Sequence, residues 1–420
     1  MGRRQVAVIG SGVAGLTAGY LLQRVADVTM YEADGRLGGH AHTHELLDPD
    51  GRSLNVDSGF IVHNRQTYPN LTRLFDELGV ETQESEMSMS IRCDGCGLQY
   101  AGALGASGLF PTMRNAANPR FLYMLTEVKR FHRRARRHLA ATEADDLTLD
   151  EFLAEGRFSR YFRTHFVVPM VACVWSCAPA EAGAYPARYL FEFLANHGML
   201  SVRGSHPWRT VTGGSASYVD KVGKQLSAVN LLSPVRSVVR TTGGVRVIDA
   251  DDQAAEFDAV VIATHPDQAL AMLAEPTAAE TAALGAWTYS KNRVALHTDA
   301  SVLPPLPRAQ AAWNYQMPTC EAAGGEVNVT YDMTRLQRLP GRSRYLVTLN
   351  GDDSVDAGQQ IAEMLYEHPV FTPESVATRA DLPALNDGVI AYAGAYHGWG
   401  FHEDGCRSGV AAAESLGAAW

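Results

Sequence analysis

A glycine-rich turn near the start of the chain restricts the fold more than any other feature of the sequence. Residues 5–9, apolar from Val6 onward, lead into the turn, and a second, largely apolar run, residues 16–22, follows it. The turn itself contains Gly10, Gly12 and Gly15 at the spacing G-x-G-x-x-G. Between a strand and a helix, the first glycine permits the tight turn, the second lets a pyrophosphate approach the backbone, and the third allows close helix packing. The sequence therefore predicts a Rossmann-like unit that binds a dinucleotide.

An acidic residue follows at the distance expected for a ribose contact. Glu32 ends a second predicted strand, residues 28–32, and lies about twenty residues beyond the turn. Its carboxylate suits a ribose 2′-hydroxyl and would repel a 2′-phosphate, so FAD or NAD fits better than NADP. The N-terminus of the intervening helix, with the N–H groups of Val13 and Ala14, is expected to face the phosphates.

An arginine and paired glycines come next, in the stretch ADGRLGG at residues 33–39. They add a fixed cation and a second place where the backbone can approach a ligand. This extended pattern resembles the FAD-binding start of the amine oxidase, phytoene desaturase and protoporphyrinogen oxidase superfamily. The resemblance implies that the cofactor is FAD, bound non-covalently, with contacts from Ala33, Arg36, Leu37, Gly38 and Gly39.

The resemblance continues through later parts of the chain. A D-S-G sequence resembles the segment that returns beside the flavin, and a strand that ends in Ala-Thr recurs near the pyrophosphate. The closing segment has the family's strand, glycine-rich turn and helix, but Tyr396 stands roughly where the family has an acid that contacts FAD. Further cofactor contacts are thereby implied for Asp57, Ser58, Gly59, Val235, Ala263, Thr264, Gly394, Ala395, Gly405 and Cys406.

A chain of 420 residues is too long for one ordinary core, so two domains are predicted. The fold class is α/β, and the resemblance implies a discontinuous Rossmann-like FAD-binding domain plus an α+β substrate domain with a mixed sheet and helices. Residues 1–75, 205–266 and 386–420 are assigned to the FAD-binding domain, and residues 76–204 and 267–385 to the substrate domain. Apolar periodicity predicts helices over residues 68–78, 118–141, 148–159, 216–226, 278–288, 357–367 and 410–418.

Charge and hydropathy exclude several classes of protein. A formal net charge of −10 argues against nucleic acid as a partner. No run of roughly eighteen uncharged apolar residues predicts a membrane span. Arg3 and Arg4 before an apolar run superficially resemble a signal peptide, but the glycine turn explains that run better and no small-residue cleavage site follows. A cytoplasmic protein is therefore expected.

Two groups of residues raise the question of a metal ion. Cys93 and Cys96 form a C-x-x-C, but no second such pair accompanies them, and the flanking residues are typical of a hairpin around an Asp-Gly turn. His40, His42 and His44 alternate along an extended stretch, which would place them on one side. Histidine ligands need converging partners, and the flavin-binding pattern already accounts for that stretch. A plain hairpin is favoured over a zinc or redox site, and no metal is predicted.

The closing segment supplies the candidates for chemistry. A flavin accepts hydride, and a desaturation also needs a base. His397, His402 and Glu403 are the candidate bases, although each could instead hold a loop by hydrogen bonds. Trp399 and Phe401 are candidates for lining the flavin face and the substrate.

Two further features bear on the substrate. For amine oxidation the superfamily often uses a lysine near flavin N5, and the register leaves open whether Lys291 lies there or Arg293 replaces it. The apolar, proline-containing residues 166–176 are interpreted either as core packing or as the lining of an elongated apolar pocket.

The predicted helix over residues 118–141 carries a basic face that stands out in an acidic protein. The simpler interpretation is a solvated surface. The interpretation favoured here is docking on an anionic membrane, where each basic residue contributes roughly 1 kcal/mol. It would make the protein peripheral to the inner face of the cytoplasmic membrane. The face spans residues 129–138 and comprises Lys129, Arg130, His132, Arg133, Arg134, Arg136, Arg137 and His138.

Short fragments narrow the resemblance to a bacterial subgroup of predicted FAD-dependent oxidoreductases. They are NHG at residues 196–198, WRTV at 208–211, VTYDM at 329–333 and GFHEDG at 400–405. Members are often encoded beside fatty-acid-modifying methyltransferases of the cyclopropane synthase type. The resemblance implies oxidation or desaturation of an apolar substrate, such as a membrane-lipid acyl chain, by hydride transfer to flavin N5, with a lipid methyltransferase as partner. The alternatives are a flavin amine oxidase that produces hydrogen peroxide and a flavin-bearing, non-catalytic partner in a lipid-modifying complex.

Overall fold

The computed structural model of the chain describes residues 2–141, 147–201, 206–321, 327–351 and 354–420. Within these ranges no helix combines the length and the apolar character needed to cross a membrane.

In chain order the strands are β1 (Arg4–Ile9), β2 (Ala26–Tyr31), β3 (Thr43–Leu47), β4 (Ser53–Asp57), β5 (Thr82–Glu84), β6 (Met89–Cys93), β7 (Leu98–Ala101), β8 (Arg209–Val211), β9 (Ala228–Asn230), β10 (Val235–Thr241), β11 (Gly244–Asp249), β12 (Ala254–Phe257), β13 (Ala259–Ile262), β14 (Thr288–His297), β15 (Trp313–Met317), β16 (Val329–Asp332), β17 (Leu346–Leu349), β18 (Gln360–Val370) and β19 (Ile390–Tyr392). The helices are α1 (Val13–Leu22), α2 (Pro69–Leu78), α3 (Gly105–Leu109), α4 (Met113–Ala117), α5 (Pro119–Ala140), α6 (Leu149–Glu155), α7 (Arg160–Phe162), α8 (Val168–Trp175), α9 (Ala187–Asn196), α10 (Ala216–Gly223), α11 (Pro266–Met272), α12 (Ala278–Gly285), α13 (Met333–Leu336), α14 (Pro373–Thr378) and α15 (His402–Ser415).

A five-stranded parallel sheet carries the glycine turn. Its strand order is β19-β13-β1-β2-β9, and every neighbouring pair is parallel. The last four residues of β1 and all of β13 are buried, as expected for parallel strands covered on both faces. The carboxyl ends of these strands lie at one edge of the sheet, so the segments that follow them meet there.

The parallel sheet is assembled from distant parts of the chain, because β1 and β2 come from its start, β9 and β13 from its middle and β19 from its closing part. Three smaller groups of strands, β10-β11-β12, β3-β4 and β5-β8, are separate from it. The division into two domains stays a prediction, and one of its proposed boundaries, at residues 204–205, lies outside the described residues.

The last helix begins earlier than predicted. α15 starts at His402 instead of residue 410, and it contains Gly405 and Gly409. A Cβ atom on Gly405 would lie 2.6 Å from Val13 Cγ1, and one on Gly409 would lie 2.3 Å from the carbonyl oxygen of Ala14. The two glycines are therefore needed where α15 packs closely on α1. Interpreting them as turn residues was wrong.

A seven-stranded mixed sheet lies beside the parallel one, with the strand order β18-β14-β17-β16-β15-β6-β7. Its neighbours are antiparallel except β15 and β6, which are parallel. The prediction of a helix over residues 357–367 is wrong, because β18 pairs there with β14 along its whole length. From Ile361 to Tyr366, exposed and covered residues alternate with the period of two expected of an edge strand.

Helices α5 to α9 form a layer that shares one buried cluster with the mixed sheet. α5 matches its predicted range closely. The cap of α6 is Thr148, the first residue of that helix's predicted range, and it forms a capping box with Glu151. α7 continues through a π-helical turn, Arg163–Val167, into α8. The largest fully buried side chains of this layer are Phe121, Phe131, Phe152, Phe162, Tyr185 and Phe191.

Candidate active site

A cavity of about 1820 Å³ joins the carboxyl edge of the parallel sheet to the helical layer and the mixed sheet. Pockets for a single small molecule usually measure about 300–1,000 Å³, so this cavity has room for more than one ligand. The glycine turn lines one part of it, and residues of α5, α8 and the mixed sheet line another.

The glycine turn fits a pyrophosphate. Gly10 has a φ of +95°, and a Cβ atom on it would lie 2.7 Å from the carbonyl oxygen of Ala263. A Cβ atom on Gly15 would lie 1.9 Å from the carbonyl oxygen of Gly10, whereas one on Gly12 would have no neighbour within 4 Å. Gly12 caps α1 without any side-chain hydrogen bond, so the first N–H groups of the helix are available to an anion. Gly10, Gly12, Val13 and Ala14 line the cavity, and Gly15 supports the turn from behind.

Glu32 lies at the cavity wall directly after β2. One of its oxygens accepts hydrogen bonds from the backbone N–H and the hydroxyl of Ser11, and the other accepts one from the Asp34 N–H at 2.9 Å. The oxygen that accepts from Asp34 retains a further acceptor site, which suits a ribose hydroxyl. Ala33 also lines the cavity.

Arg36 supplies a positive charge to the same part of the cavity. Its guanidinium donates to the carbonyl oxygens of Gly39 at 2.8 Å and Leu37 at 3.3 Å. Among the described residues no carboxylate lies within ion-pair distance of it, so its charge is available to a phosphate. Gly39 lines the cavity, while Leu37 and Gly38 do not. Gly38 has a φ of +112°, and a Cβ atom on it would lie 2.4 Å from the Ala41 carbonyl oxygen.

Asp57 acts on the cavity indirectly. Its buried carboxylate accepts hydrogen bonds from the Ser215 N–H at 2.9 Å, the Thr43 hydroxyl at 2.5 Å and the Gln337 amide at 3.0 Å. Burial raises the pKa of Asp57 to about 6. The residue holds the segment that contains Ser58 and Gly59, and those two neighbours line the cavity themselves.

The remaining predicted cofactor residues divide into two groups. Val235, Ala263, Thr264, Gly394 and Ala395 line the cavity. Gly405 and Cys406 lie on α15 where it meets α1, and the Thr17 hydroxyl lies 3.4 Å from Cys406 Sγ.

Tyr396, which stands roughly where the family has an acid, lines the cavity and is 1% exposed. Its hydroxyl is buried without a hydrogen-bond partner in the described part of the chain. A buried polar group usually finds a partner, so this hydroxyl fits a contact with a bound cofactor.

The structure separates the five candidates for chemistry. Phe401 and His402 line the cavity, whereas His397, Trp399 and Glu403 do not. Burial, with His63 nearby, lowers the pKa of His402 to about 3, so its imidazole is neutral and a poor base at neutral pH. It stacks on Phe60, with ring centroids 3.7 Å apart.

Two of the three other candidates have contacts that position the chain. Glu403 accepts hydrogen bonds from the N–H groups of Asn70 at 3.1 Å and Leu71 at 3.0 Å, so it holds the start of α2. The Trp399 carbonyl oxygen accepts a hydrogen bond from the Trp175 indole at 3.0 Å. Burial lowers the pKa of His397 to about 3. The geometry favours positioning roles for Glu403 and Trp399 over contact with a ligand, whereas His397 Nε2 is buried without a hydrogen-bond partner in the described chain.

Sequence reasoning missed a group of polar residues that faces the cavity between the glycine turn and the mixed sheet. His40 and His368 have ring centroids 5.3 Å apart, and His40 Nε2 is buried without a hydrogen-bond partner in the described chain. His265 Nδ1 lies 3.3 Å from a Glu367 carboxylate oxygen. The position of His40 directly after Gly39 was the available signal. His368 was hidden because its strand was predicted to be a helix.

The residues that raised a metal question near this group have other contacts. His42 Nδ1 lies 3.0 Å from the Tyr366 hydroxyl, and His44 Nε2 lies 2.9 Å from the Ser58 hydroxyl.

Lys291, one candidate for the lysine that amine oxidases use near the flavin, is 69% exposed. It lies 3.6 Å from Glu367 and does not line the cavity. Arg293 does not line it either.

The rest of the cavity forms an apolar chamber. Six residues of the segment 166–176 line it and the other five are buried in the core, so the segment combines the two predicted roles. The six are Phe166, Met170, Cys173, Val174, Trp175 and Ser176. The described lining residues with carboxylates are Glu32, Asp34 and Glu367, so the chamber walls carry no described carboxylate. The chamber is lined by Ile91, Tyr100, Leu109, Leu125, Val128, Phe166, Met170, Cys173, Val174, Trp175, Phe193, Met199, Trp313, Tyr331 and Leu349.

Basic residues of α5 border the chamber, because Lys129, His132 and Arg133 also line the cavity. The predicted basic face of this helix is smaller than expected. Arg130 pairs with buried Glu127 at 2.9 Å, and Arg134 pairs with Glu155 at 3.1 Å. His132 is buried, and His138 packs on Phe152 and Phe191. The exposed cations are Lys129, Arg133, Arg136 and Arg137.

Comparison with known proteins supports the same cofactor. A family model for flavin containing amine oxidoreductases matches residues 13–357. AofH of Mycobacterium tuberculosis, named as a flavin-containing monoamine oxidase, is 27% identical over 287 residues. That alignment covers 64% of this chain and only 59% of AofH.

Solved structures share the fold over nearly the whole chain. Cyclohexylamine oxidase from Brevibacterium oxydans superposes with a TM-score of 0.70 at 17% identity, covering 99% of this chain and 100% of that chain. A CLA-producing fatty acid isomerase from P. acnes gives a TM-score of 0.66 at 16% identity, covering 97% of each chain. At these identities the likeness establishes the predicted α/β fold alone. With the matched model and the fit of the glycine turn, FAD is the cofactor, and the chain belongs to the flavin containing amine oxidoreductase family.

Proposed function

We propose that the protein is an FAD-dependent oxidoreductase that oxidises or desaturates the acyl chain of a lipid with an anionic head group. One observation carries the proposal: an apolar chamber adjoins the dinucleotide end of the cavity and is bordered by Lys129 and Arg133. When bound, FAD would supply a two-electron acceptor for a hydride from the substrate, and the proton that a desaturation also releases would pass to solvent. The residues of this chain supply binding, orientation and exclusion of water.

Residues at the edge of the parallel sheet would hold the cofactor. Gly12 and the N-terminus of α1 would bind the pyrophosphate, and Arg36 would balance its charge. Glu32 would accept a hydrogen bond from a ribose hydroxyl, and the unpartnered Tyr396 hydroxyl would gain a hydrogen-bond partner. These contacts would leave the apolar chamber free for the substrate.

The chamber suits an acyl chain because its walls are apolar and aromatic. Each methylene transferred from water into such surroundings contributes about 0.8 kcal/mol. The cations on α5 would then hold a carboxylate or phosphate at the other end of the molecule. The arrangement matches an amphipathic anion.

An amine substrate fits the chamber less well. A protonated amine needs a negative partner when it leaves water, and Glu367, the one carboxylate beyond the dinucleotide end among the described lining residues, already lies near His265 and Lys291. The similarity to AofH nevertheless keeps amine oxidation as a second candidate. Release of hydrogen peroxide with small amines, in preference to lipids, would support it.

We also propose that α5 docks on an anionic membrane, so that lipid enters the chamber directly. Met113 on α4 is 83% exposed and Tyr123 on α5 is 54% exposed, and α5 also carries the exposed cations. Apolar side chains next to lysine and arginine are typical of helices that lie on a membrane surface. In a protein with a net charge of −10, this local positive face would orient the molecule toward anionic lipid. A lipid methyltransferase would be a partner that acts on the same acyl chains.

Vesicle binding and product analysis test the proposal together. Holoprotein incubated with phosphatidylglycerol vesicles should float with them at low salt, and mass spectrometry should show acyl chains that have lost two hydrogen atoms. Reversing the charge with Lys129→Glu and Arg133→Glu should reduce both signals more than tenfold.

Arg65→Glu with Arg338→Glu is a matched control, because both side chains are exposed and form only surface ion pairs. Binding and product should persist in that control. Absence of both in the wild-type protein would contradict the proposal.

A further inference from the structure

Four potential metal ligands converge away from the cavity. Cys93 ends β6, Cys96 lies in the hairpin turn, His165 lies in the π turn and Cys320 follows β15. One ligand atom from each lies within 4.8 Å of all the others. In the part of the chain that the structure describes, this is the one such group found, and none of its members lines the cavity. We call it the Cys3His cluster.

Two distances within the Cys3His cluster match the edges of a tetrahedron around one ion. Cys93 Sγ lies 3.7 Å from Cys320 Sγ, and Cys96 Sγ lies 3.6 Å from His165 Nε2. Zinc–sulfur bonds of about 2.3 Å and a zinc–nitrogen bond of about 2.0 Å place two sulfurs about 3.8 Å apart and a sulfur and a nitrogen about 3.5 Å apart. A disulfide would instead need sulfurs about 2.0 Å apart.

The orientation of His165 is fixed from its other side. His165 Nδ1 lies 2.8 Å from the Thr164 hydroxyl and 3.2 Å from the Tyr161 carbonyl oxygen. These contacts leave Nε2 directed at Cys96. Histidines that bind metals usually have such a partner on the second ring nitrogen. The π turn that carries His165 is a rare element, often found at functional sites.

The hairpin turn is pressed against the third cysteine. A Cβ atom on Gly95 would lie 2.9 Å from the Cys320 backbone nitrogen and 3.0 Å from Thr319 Cα. Glycine between the cysteines therefore permits the close approach that brings the three sulfurs together. The predicted hairpin is present, and it also forms one half of a ligand set that local sequence does not reveal.

We propose that the Cys3His cluster binds one Zn²⁺ as a structural site. Three thiolates and one imidazole are a ligand set typical of zinc, and four protein ligands leave no open position for chemistry. The ion would join the β6–β7 hairpin and the loop after β15 to the π turn that leads into α8. Because α8 supplies Met170, Cys173 and Val174 to the chamber, the ion would hold one chamber wall against the mixed sheet. The inference does not depend on the substrate proposed above.

Metal analysis of the full-length holoprotein tests the site. Elemental mass spectrometry should find about one zinc per chain. Cys96→Ala changes an exposed ligand and should lower the zinc content to near zero while FAD content stays unchanged. Cys177→Ala, at a buried cysteine outside the cluster and the cavity, should keep its zinc.

Cobalt substitution provides a second readout that needs no variant of a buried residue. Reduced, metal-stripped wild-type protein titrated with Co²⁺ should show the absorption of a tetrahedral cobalt–thiolate site at one equivalent, and Zn²⁺ should abolish it. Wild-type protein that lacks zinc and takes up neither ion would overturn the proposal. So would a disulfide between cluster cysteines in unreduced peptide maps, which would make the cluster a redox pair.

Discussion

The imidazole rings of His40 and His368 lie 5.3 Å apart, centroid to centroid, where the glycine turns meet the mixed sheet. Burial and neighbouring histidines hold the pKa of His40 well below its usual range, and burial lowers the pKa of His368 to about 4. Both rings are therefore neutral at pH 7. His368 Nδ1 has a partner, the Asn292 amide at 3.0 Å, but His40 Nε2 has none in the described chain. A ligand in the cavity would satisfy it.

Replacing His40 with phenylalanine should weaken either FAD binding or flavin reduction. Loss of one hydrogen bond to a buried ligand costs roughly 1–3 kcal/mol, or about 5- to 150-fold. Fluorescence titration of FAD and anaerobic reduction kinetics would separate the two effects. His40→Gln retains a hydrogen-bonding side chain and should recover part of the loss. If phenylalanine changes neither quantity, His40 does not contact a ligand.

Alanine at two glycines of the turn should have opposite consequences. Gly12→Ala should change the stability of the apoprotein by less than about 0.5 kcal/mol, because its Cβ atom meets no neighbour, but it should weaken FAD binding more than tenfold. Gly15→Ala should destabilise the apoprotein by about 1–3 kcal/mol, because its Cβ atom would overlap the Gly10 carbonyl oxygen. Denaturant unfolding and FAD titration measure the pair. Equal FAD affinity in Gly12→Ala and wild type would refute the pyrophosphate assignment.

Filling the chamber should block the substrate and spare the cofactor. Val174 lines the chamber on α8, and Val174→Trp should keep FAD content while slowing flavin reduction by anionic lipid more than tenfold. Val174→Ala enlarges the same place and should retain reduction. Loss of FAD in the tryptophan variant would mean that the cofactor, not the substrate, occupies this part of the cavity.

Acid should destabilise the protein at pH values above those at which ordinary carboxylates become protonated. Histidines in the unfolded chain have pKa values of about 6.5, whereas those buried in the native state remain neutral to lower pH. The unfolded state therefore binds more protons, and the free energy of unfolding falls as the pH drops from about 6.5 to about 4. Each buried histidine contributes up to about 1.4 kcal/mol per pH unit. Asp57 opposes the trend, because its pKa is raised. The histidines whose pKa burial lowers to about 4 are His63, His132, His197, His297 and His368.

Denaturant unfolding at several pH values checks this trend. His297 lies outside the cavity, and its Nε2 is 2.7 Å from the Thr348 hydroxyl. His297→Gln should therefore reduce the slope between pH 6.5 and 4. If the free energy of unfolding stays constant or increases as the pH drops over this range, the buried histidines are accessible to protons in the native state.

The residues at the dinucleotide end of the cavity could be predicted from the sequence because each belongs to a short local motif. Gly10, Glu32, Thr264 and Gly394 each follow a short buried strand, and parallel strands bring their carboxyl ends to one edge. Each motif therefore indicated its own position without knowledge of distant contacts. The same reasoning located the apolar lining at residues 166–176 but not its shape.

Two errors arose where tertiary contacts override local preference. Residues 357–367 include good helix formers, yet β14 recruits Gln360–Val370 as an edge strand. Gly405 and Gly409 suggested a turn, yet close packing on α1 requires them within a helix. Both of these segments carry residues at the cavity. The first error caused His368 to be overlooked. The second led us to expect all five candidates of the closing segment at the flavin, although only Phe401 and His402 line the cavity.

The convergence of the four residues of the Cys3His cluster could not be predicted from the sequence, for a different reason. His165 lies 69 residues beyond Cys96, and Cys320 lies 227 residues beyond Cys93. The absence of a second C-x-x-C argued against a metal, but the two remaining ligands come singly from a π turn and a loop. No local spacing rule links such positions.

Anaerobic reduction of the holoprotein, followed by the visible absorption of the flavin, tests the central claim most directly. Phosphatidylglycerol vesicles should bleach the flavin, and Lys129→Glu with Arg133→Glu should slow bleaching more than tenfold while dithionite still reduces both proteins equally. Rapid bleaching by benzylamine, with the flavin left oxidised by every anionic lipid, would contradict the account.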